Sequence, residues 1–86
     1  MTLGQACGEV LRQERHRIGR TLQQQAAEVG ISVSYLSDME RGRHNPGIDT
    51  LQRMSLSVTM ELSDLVFAAE GILELRRQCD DVRSYA

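Results

Sequence analysis

The sequence has no lysine, no tryptophan, one proline and only two cysteines in 86 residues. No apolar run approaches the ~18 residues that a membrane-spanning helix needs, so neither a transmembrane segment nor a membrane partner is expected. The first residues do not combine a basic stretch with an apolar one, which argues against a secretory signal peptide. The predicted location is therefore cytoplasmic.

The cysteines and histidines do not form a pattern that binds metal or carries catalysis. Cys7 and Cys79 lie far apart, neither belongs to a C-x-x-C pair, and no cysteine–histidine cluster has zinc spacing. Cys7 falls on an apolar helical stripe and is expected to be a small buried residue. No nucleophile or metal-ligand spacing surrounds His16 or His44. We therefore expect no metal, no cofactor and no catalytic residue, and predict that the protein is not an enzyme.

The net charge of −2 does not by itself favour a nucleic-acid partner, but the charges are unevenly distributed. Residues 12–43 carry six arginines against four acidic residues, whereas residues 47–86 carry four arginines against seven acidic residues. Such asymmetry lets one face attract phosphate while the whole chain remains acidic. The alternative is that the arginines only cover solvated helix faces.

The apolar residues recur with helical period, and the alternation typical of a β-strand is missing, so an all-α fold with five helices is predicted. Thr2, Thr21 and Ser32 are the expected caps at the starts of helices 1, 2 and 3. The predicted later segments are 21–29 for helix 2, 33–41 for helix 3, 48–57 for helix 4, and helix 5 from about residue 61. The expected inward faces are Leu3, Cys7, Val10, Leu11 and Ile18 in helix 1, Tyr35, Leu36 and Met39 in helix 3, and Ile48, Leu51 and Met54 in helix 4.

Helix 5 carries more apolar residues than a five-helix core needs to bury. Its stripe comprises Leu62, Leu65, Val66 and Ala69, and resumes beyond Gly71 at Ile72, Leu73, Cys79 and Val82. Either one long helix crosses Gly71 or two helices meet there. The surplus predicts a dimer interface through Leu65, Ala69, Ile72 and Leu73. The alternative is that the tail folds back onto its own domain.

The segment from Thr21 to Gly42 has the features of two short helices joined by a tight turn. Ala26 is small where the two helices must approach closely, and Gly30 can adopt the positive φ of a turn. Ile31 then fills the angle between the helices. This is the pattern of a helix-turn-helix, in which the second helix presents its N-terminal residues to the DNA major groove.

From Gly8 to about Val66 the sequence resembles the Cro and phage-repressor type of helix-turn-helix domain, also called the xenobiotic-response-element family. The runs Ser-Tyr-Leu-Ser at 34–37 and Glu-Arg-Gly at 40–42 are its most specific part. The matching residues are Gly8, Leu11, Arg12, Arg15, Thr21, Ala26, Val29, Gly30, Ser32, Tyr35, Leu36, Ser37, Met39, Glu40, Arg41, Gly42, Pro46, Asp49, Thr50 and Leu51. The resemblance implies a helix-turn-helix DNA-binding domain, which is predicted to span 1–70. The end of the chain lies outside the resemblance, and the apolar surplus of helix 5 predicts a C-terminal helical extension over 71–86 that serves dimerisation.

The resemblance also implies roles for individual residues. Base edges would be contacted by Val33, Ser34, Ser37 and Asp38, with Asp38 accepting from cytosine. The DNA backbone would be contacted by Thr21, Leu22, Gln23, Arg41, Arg43 and His44. Arg15 and Glu40 should form a structural ion pair between helix 1 and helix 3. Two positions depart from the family: Leu22 replaces a frequent glutamine that contacts DNA, and Gln25 replaces a core leucine.

The function implied is a sequence-specific transcription regulator, repressor or activator, that binds double-stranded DNA as a homodimer. Two copies of helix 3 would enter successive major grooves of a palindromic operator, about 34 Å apart. The alternative from another class is a protein-binding module of antitoxin or coactivator type, which would bind a protein partner through the acidic C-terminal helices. A plain five-helix domain with an exposed serine-rich helix is the remaining alternative.

Overall fold

Five helices make up residues 1–84, the part of the chain that the structure, a computed structural model, describes; side chains are described for residues 1–79. The helices are α1 (Leu3–Arg17), α2 (Leu22–Val29), α3 (Val33–Glu40), α4 (Ile48–Ser57) and α5 (Leu62–Ser84). No strand occurs within residues 1–84, so the prediction of an all-α, five-helix fold is confirmed.

The first three helices begin at the polar residues expected to cap them. The Thr2 hydroxyl accepts from the Gln5 backbone N–H at 3.1 Å, and the Gln5 side chain accepts from the Thr2 N–H at 2.7 Å. Thr21 and Gln24 form the same reciprocal pair at 3.1 and 2.9 Å. Ser32 caps α3 by accepting from the Tyr35 N–H at 3.0 Å. These bonds satisfy backbone donors that have no partner within the helix, and so fix where each helix starts.

The core forms where α1 packs along α5 and against α3 and α4, and where α2 packs on α3 and α4. The fully buried side chains Leu11, Leu36, Met54 and Leu65 each come from a different helix. Burying such side chains contributes about 1.5–3 kcal/mol apiece. Because α3 is held from its inner side by these contacts, its outer side is left to solvent.

Gly8 sets how closely α1 and α3 approach each other. A Cβ at this position would lie 2.4 Å from the carbonyl oxygen of Met39 on α3, a distance that no real side chain tolerates. The absence of a side chain therefore lets the end of α3 rest directly on the backbone of α1.

Gln25 occupies a core position and finds polar partners there. It is buried, receives a hydrogen bond at its Oε1 from Arg20 Nη1 at 2.9 Å, and donates from Nε2 to Ser57 Oγ at 2.7 Å. Arg20 also donates to the Ser57 carbonyl at 2.7 Å. A buried amide costs little when its donors and acceptors are satisfied, so this network replaces the apolar contact that a leucine would make.

Three residues that the sequence placed in the core are on the surface. Leu3, Ile18 and Ile48 are all exposed, Ile48 to 62%. Leu3 and Ile48 are the first residues of α1 and α4, and Ile18 is the C-cap of α1. The helical period gives them the correct face, but the terminal turns extend beyond the neighbouring helices that would cover them.

Helix α5 runs through Gly71 without a break, so the alternative of two helices is wrong. Leu65 and Ala69 are fully buried because α5 lies against α1, and they cannot form the predicted dimer interface. Ile72 and Leu73 are half-buried at the edge of the same core. The predicted boundary between residues 70 and 71 falls inside α5, while the end of the extension at 85–86 and the side chain of Val82 lie outside the described part.

Candidate nucleic-acid interface

Gly30 forms the turn that joins α2 to α3. Its φ of 80° and ψ of 36° place it in the left-handed region that favours glycine. The N–H groups of Gly30 and Ile31 both donate to the Ala26 carbonyl, at 2.9 and 3.0 Å. Ala26 is buried between the two helices, and Ile31 packs on the edge of the core. Gly30 and Ile31 therefore end α2 in a tight turn, and Ser32 then caps α3.

A buried ion pair fixes α3 to α1. Arg15 Nε donates to Glu40 Oε2 at 2.9 Å and Arg15 Nη2 donates to Glu40 Oε1 at 3.0 Å, so the pair is bidentate. The two side chains are only 8% and 5% exposed. Arg15 Nη1 also donates to the Arg20 carbonyl at 2.9 Å, so one guanidinium ties α1, the segment before α2 and the end of α3 together.

The outer side of α3 presents short side chains. Val33 and Ser34 in its first turn are exposed, and Ser37 and Asp38 one turn later are half-buried. The structure thus brings the four predicted base-contacting residues to one surface of one helix. Val33 offers a methyl surface, the serines offer hydroxyl groups that donate and accept, and Asp38 offers only acceptors when ionised.

The start of α2 carries three residues predicted to contact the DNA backbone. Thr21 and Gln23 are exposed, whereas the Leu22 side chain packs against the core. The backbone N–H groups at the start of a helix have no acceptor within the helix. Leu22 and Gln23 therefore offer backbone donors, while the Thr21 hydroxyl is occupied with Gln24.

The segment after α3 supplies positive charge beside the same helix. The side chains of Arg41, Arg43 and His44 are exposed. Arg43 Nη1 lies 3.8 Å from Asp38 Oδ1, and His44 Nε2 lies 3.8 Å from Asp38 Oδ2. The two arginines and the His44 ring therefore lie beside the C-terminal end of α3.

Sequence reasoning missed two features of this surface. Tyr35 packs against the core as expected, but it is half-buried, and the stacking of its ring on that of His44, with centroids 5.6 Å apart, was not expected. Arg12 was counted in the local arginine surplus and as a family match but was given no individual role, and it lines one cleft with Arg41 and Gly42. Its position three residues before Arg15, on the same helix face, is the signal that would have indicated this.

Metal-ligating residue types and the buried thiol are the other features of note among the described residues. Among them, no three His, Cys, Asp or Glu side chains come together to hold a metal ion. Burial raises the pKa of the Cys7 thiol, which keeps it protonated and a poor nucleophile. Over the described part of the chain, no helix combines the length and apolar character needed to cross a bilayer.

Comparison with known proteins identifies the family. The profile of the family described as "Helix-turn-helix domain" matches residues 6–55, from α1 into α4. The chain is 42% identical over 67 residues to the HTH-type transcriptional regulator SlrR of Bacillus subtilis, which aligns 77% of this chain with 43% of that protein. It is 36% identical over 66 residues to the immunity repressor protein of Bacillus phage phi105, with 77% and 43% covered.

One relative is also similar over its whole fold. The crystal structure of the clp gene regulator ClgR from Corynebacterium glutamicum superposes with a TM-score of 0.93 and 28% identity, over 99% of this chain and 90% of that chain. The chain spans about half the length of the curated relatives that it matches. These relatives are named as transcriptional regulators and a repressor, in agreement with the prediction that the protein is not an enzyme. With the profile covering the capped helix pair and more than half of the sequence, the chain belongs to the helix-turn-helix domain family, as its resemblance to phage repressors indicated.

Proposed function

We propose that this chain binds double-stranded DNA with sequence specificity and regulates transcription. The main support for the proposal is the way in which α3 is held. A buried ion pair and a close contact with Gly8 hold its inner side, while mostly small polar side chains occupy its outer side. A helix fixed in this way can enter a major groove as a rigid unit. The names of its relatives, transcriptional regulators and an immunity repressor, support the same function.

The reading surface would be formed by Val33, Ser34 and Ser37, with the predicted reader Asp38 beside them, facing the segment that follows α3. Val33 would contact a thymine methyl group, and the serine hydroxyls would donate to or accept from base edges. None of these side chains makes the bidentate contact of arginine to guanine or of glutamine to adenine. Specificity would therefore also depend on DNA shape and on the spacing of the two half-sites.

The DNA backbone would be held at both ends of the reading surface. At the start of α2, the free N–H groups of Leu22 and Gln23 would bind a phosphate, as helix N-termini do. This allows Leu22 to contact DNA through its backbone although its side chain faces the core. Beyond α3, Arg41, Arg43 and His44 would contact the phosphates that flank the groove.

A homodimer would use the outer side of α5 to place two copies of α3 on a palindromic operator. Phe67, Gly71 and Leu75 follow one another at four-residue spacing and share a face, with Phe67 79% and Leu75 65% exposed. Phe67, Gly71 and Leu73 line a depression on this side of α5, and Glu70, Glu74 and Arg77 border it. An apolar centre with a rim of both charges suits association with a second copy of the same surface.

Selection from a pool of duplexes with a randomised centre tests this function. The wild type should enrich a palindrome whose half-sites are about 10 base pairs apart. Ser34→Ala should change the preferred base at one position of each half-site, because a hydroxyl contact is lost. The matched control is Ser63→Ala, an exposed serine on α5, which should enrich the wild-type site. Failure of the wild type to enrich any sequence would reject the proposed function.

A further inference from the structure

The segment that follows α3 folds back onto that helix through one carboxylate and one aromatic ring. The Arg43 backbone N–H donates to the Asp38 carbonyl at 2.8 Å, which begins the reversal. The Asp38 carboxylate then faces Arg43 with one oxygen and His44 with the other, both at 3.8 Å. The His44 ring stacks on Tyr35, one helical turn before Asp38, with 21° between the ring planes. Two residues of the segment are thus held by two residues of α3.

These contacts contribute little to the stability of the fold. Asp38 is 36% exposed and Arg43 is 67% exposed, and ion pairs of this kind are weak in water because solvent screens them. What these contacts fix is the position of the Arg43 charge relative to Asp38. Asp38 and Glu40 are the acids of α3, and each faces an arginine from outside the helix. The carboxylate that would otherwise repel phosphate is thereby accompanied by a cation.

We propose that Asp38 is a positioning residue, which holds Arg43 beside α3 so that its guanidinium meets a DNA phosphate. This proposal rests on the proposed DNA-binding function and revises the expected role of Asp38 as a reader of cytosine. One carboxylate oxygen already faces the Arg43 guanidinium and the other faces the His44 ring, whereas a reader needs an acceptor directed into the groove. A guanidinium has five donors, so Arg43 can stay with Asp38 and still donate to a phosphate.

A double-mutant cycle in DNA binding tests this role. The four proteins are the wild type, Asp38→Asn, Arg43→Ala and the double variant. The probe is a fluorescein-labelled duplex of about 25 base pairs and arbitrary sequence, long enough for two half-sites. Binding is followed by anisotropy over a series of salt concentrations. The cycle removes the general gain in affinity that follows from deleting any negative charge near DNA.

Arg43→Ala should lower the salt slope by about one in the wild-type background, because one phosphate contact is lost. In the Asp38→Asn background, Arg43→Ala should lower the salt slope by clearly less than in the wild-type background. The fold-loss of affinity caused by Arg43→Ala should also be smaller there, by a factor of about two or more. The Asp38→Asn protein should also enrich the wild-type site from the randomised pool. Its melting temperature should stay close to that of the wild type, because exposed ion pairs stabilise a fold only weakly.

Asp64→Asn is the matched control. It makes the same chemical change at an exposed position on α5, and its effect should add to that of Arg43→Ala without coupling. An Arg43→Ala effect that is equal or larger in the Asp38→Asn background would overturn the positioning role. A changed base preference in Asp38→Asn would also overturn it, in favour of direct reading. Loss of coupling in a protein that still binds DNA rejects this inference alone, whereas absence of binding by the wild type rejects both proposals.

Discussion

Glu40 is a charged residue whose place in the core depends on a single partner. The two hydrogen bonds from Arg15 compensate for the removal of both charges from water. Glu40→Ala leaves a buried guanidinium without its counter-charge, which costs about 3–5 kcal/mol. We expect the free energy of unfolding, measured by urea denaturation, to fall by that amount.

The control for this prediction is an ion pair at the surface. Glu74 pairs with Arg77 on α5, and both side chains are at least half exposed. Glu74→Ala should change the free energy of unfolding by less than about 1 kcal/mol. Similar losses in the two variants would mean that burial of the Arg15–Glu40 pair does not determine its contribution.

Individual residues show where sequence reasoning succeeds and where it stops. The Arg15–Glu40 pair and the Thr21 and Ser32 caps were expected, because each follows from residue type and a fixed position in the motif. The partners of Gln25 were not, since Ser57 lies 32 positions away and only the packing of α4 brings it close. The contacts of Asp38 with the segment after α3 were missed for a similar reason: they depend on the path of a loop, not on helical period.

At the scale of helices, the crossing of α1 and α3 depends on Gly8. Gly8→Ala would force a Cβ into the Met39 carbonyl, and such overpacking typically costs about 1–3 kcal/mol. Because the end of α3 must move, affinity for the selected operator should fall together with the melting temperature. Denaturation and anisotropy on the same preparation measure both quantities.

Gly71→Ala provides the matched substitution in the middle of α5. No atom lies within 4 Å of a Cβ at this position, so the variant should gain about 1 kcal/mol from the higher helix propensity of alanine. The measurement is made at a protein concentration low enough to keep the chain monomeric. If Gly8→Ala were as stable as Gly71→Ala, the close approach of α1 and α3 would not be required.

Helix ends were predicted better than the orientation of the residues at those ends. Caps and glycines act through bonds within a few residues, so the start of α3 at Val33 and both ends of α4 agree with the sequence. The exposure of Leu3, Ile18 and Ile48 depends on how far neighbouring helices extend, which helical period alone does not contain. The same limitation explains why Leu65 and Ala69 were assigned to a dimer interface although α1 covers them.

At the scale of the whole molecule, the extended shape arises from α5. The described chain measures 46 Å along its longest axis and 24 Å along the others, and the 23 residues of α5 span about 34 Å at 1.5 Å per residue. Arg76 of α5 lies 3.5 Å from Glu9, so the distal half of α5 still runs beside α1. Its opposite side carries the exposed Phe67 and Leu75. A second copy bound to this side would hold the two α3 surfaces in one particle, at a fixed distance from each other.

Leu75→Glu tests that assembly by placing a carboxylate in the centre of the proposed dimer surface. Burying an unpaired charge is costly, so the variant should sediment as a monomer at concentrations where the wild type is a dimer. Its affinity for the palindromic operator should fall toward that for one half-site, because the second half-site no longer binds as part of the same particle. Its melting temperature at low concentration should stay close to that of the wild type, because Leu75 is 65% exposed in the single chain.

Leu56→Glu is the appropriate comparison, since Leu56 on α4 is 60% exposed and the substitution adds the same charge. It should leave both the sedimentation coefficient and the operator affinity near their wild-type values. Dissociation by Leu56→Glu but not by Leu75→Glu would move the interface to α4. A wild type that sediments only as a monomer would reject the homodimer and favour the antitoxin or coactivator alternative, in which the C-terminal part of the chain binds a different protein. Leu56 and Leu75 lie on different helices but are almost equally exposed. Comparing the two variants therefore separates the loss of a specific interface from a general effect of charge on solubility.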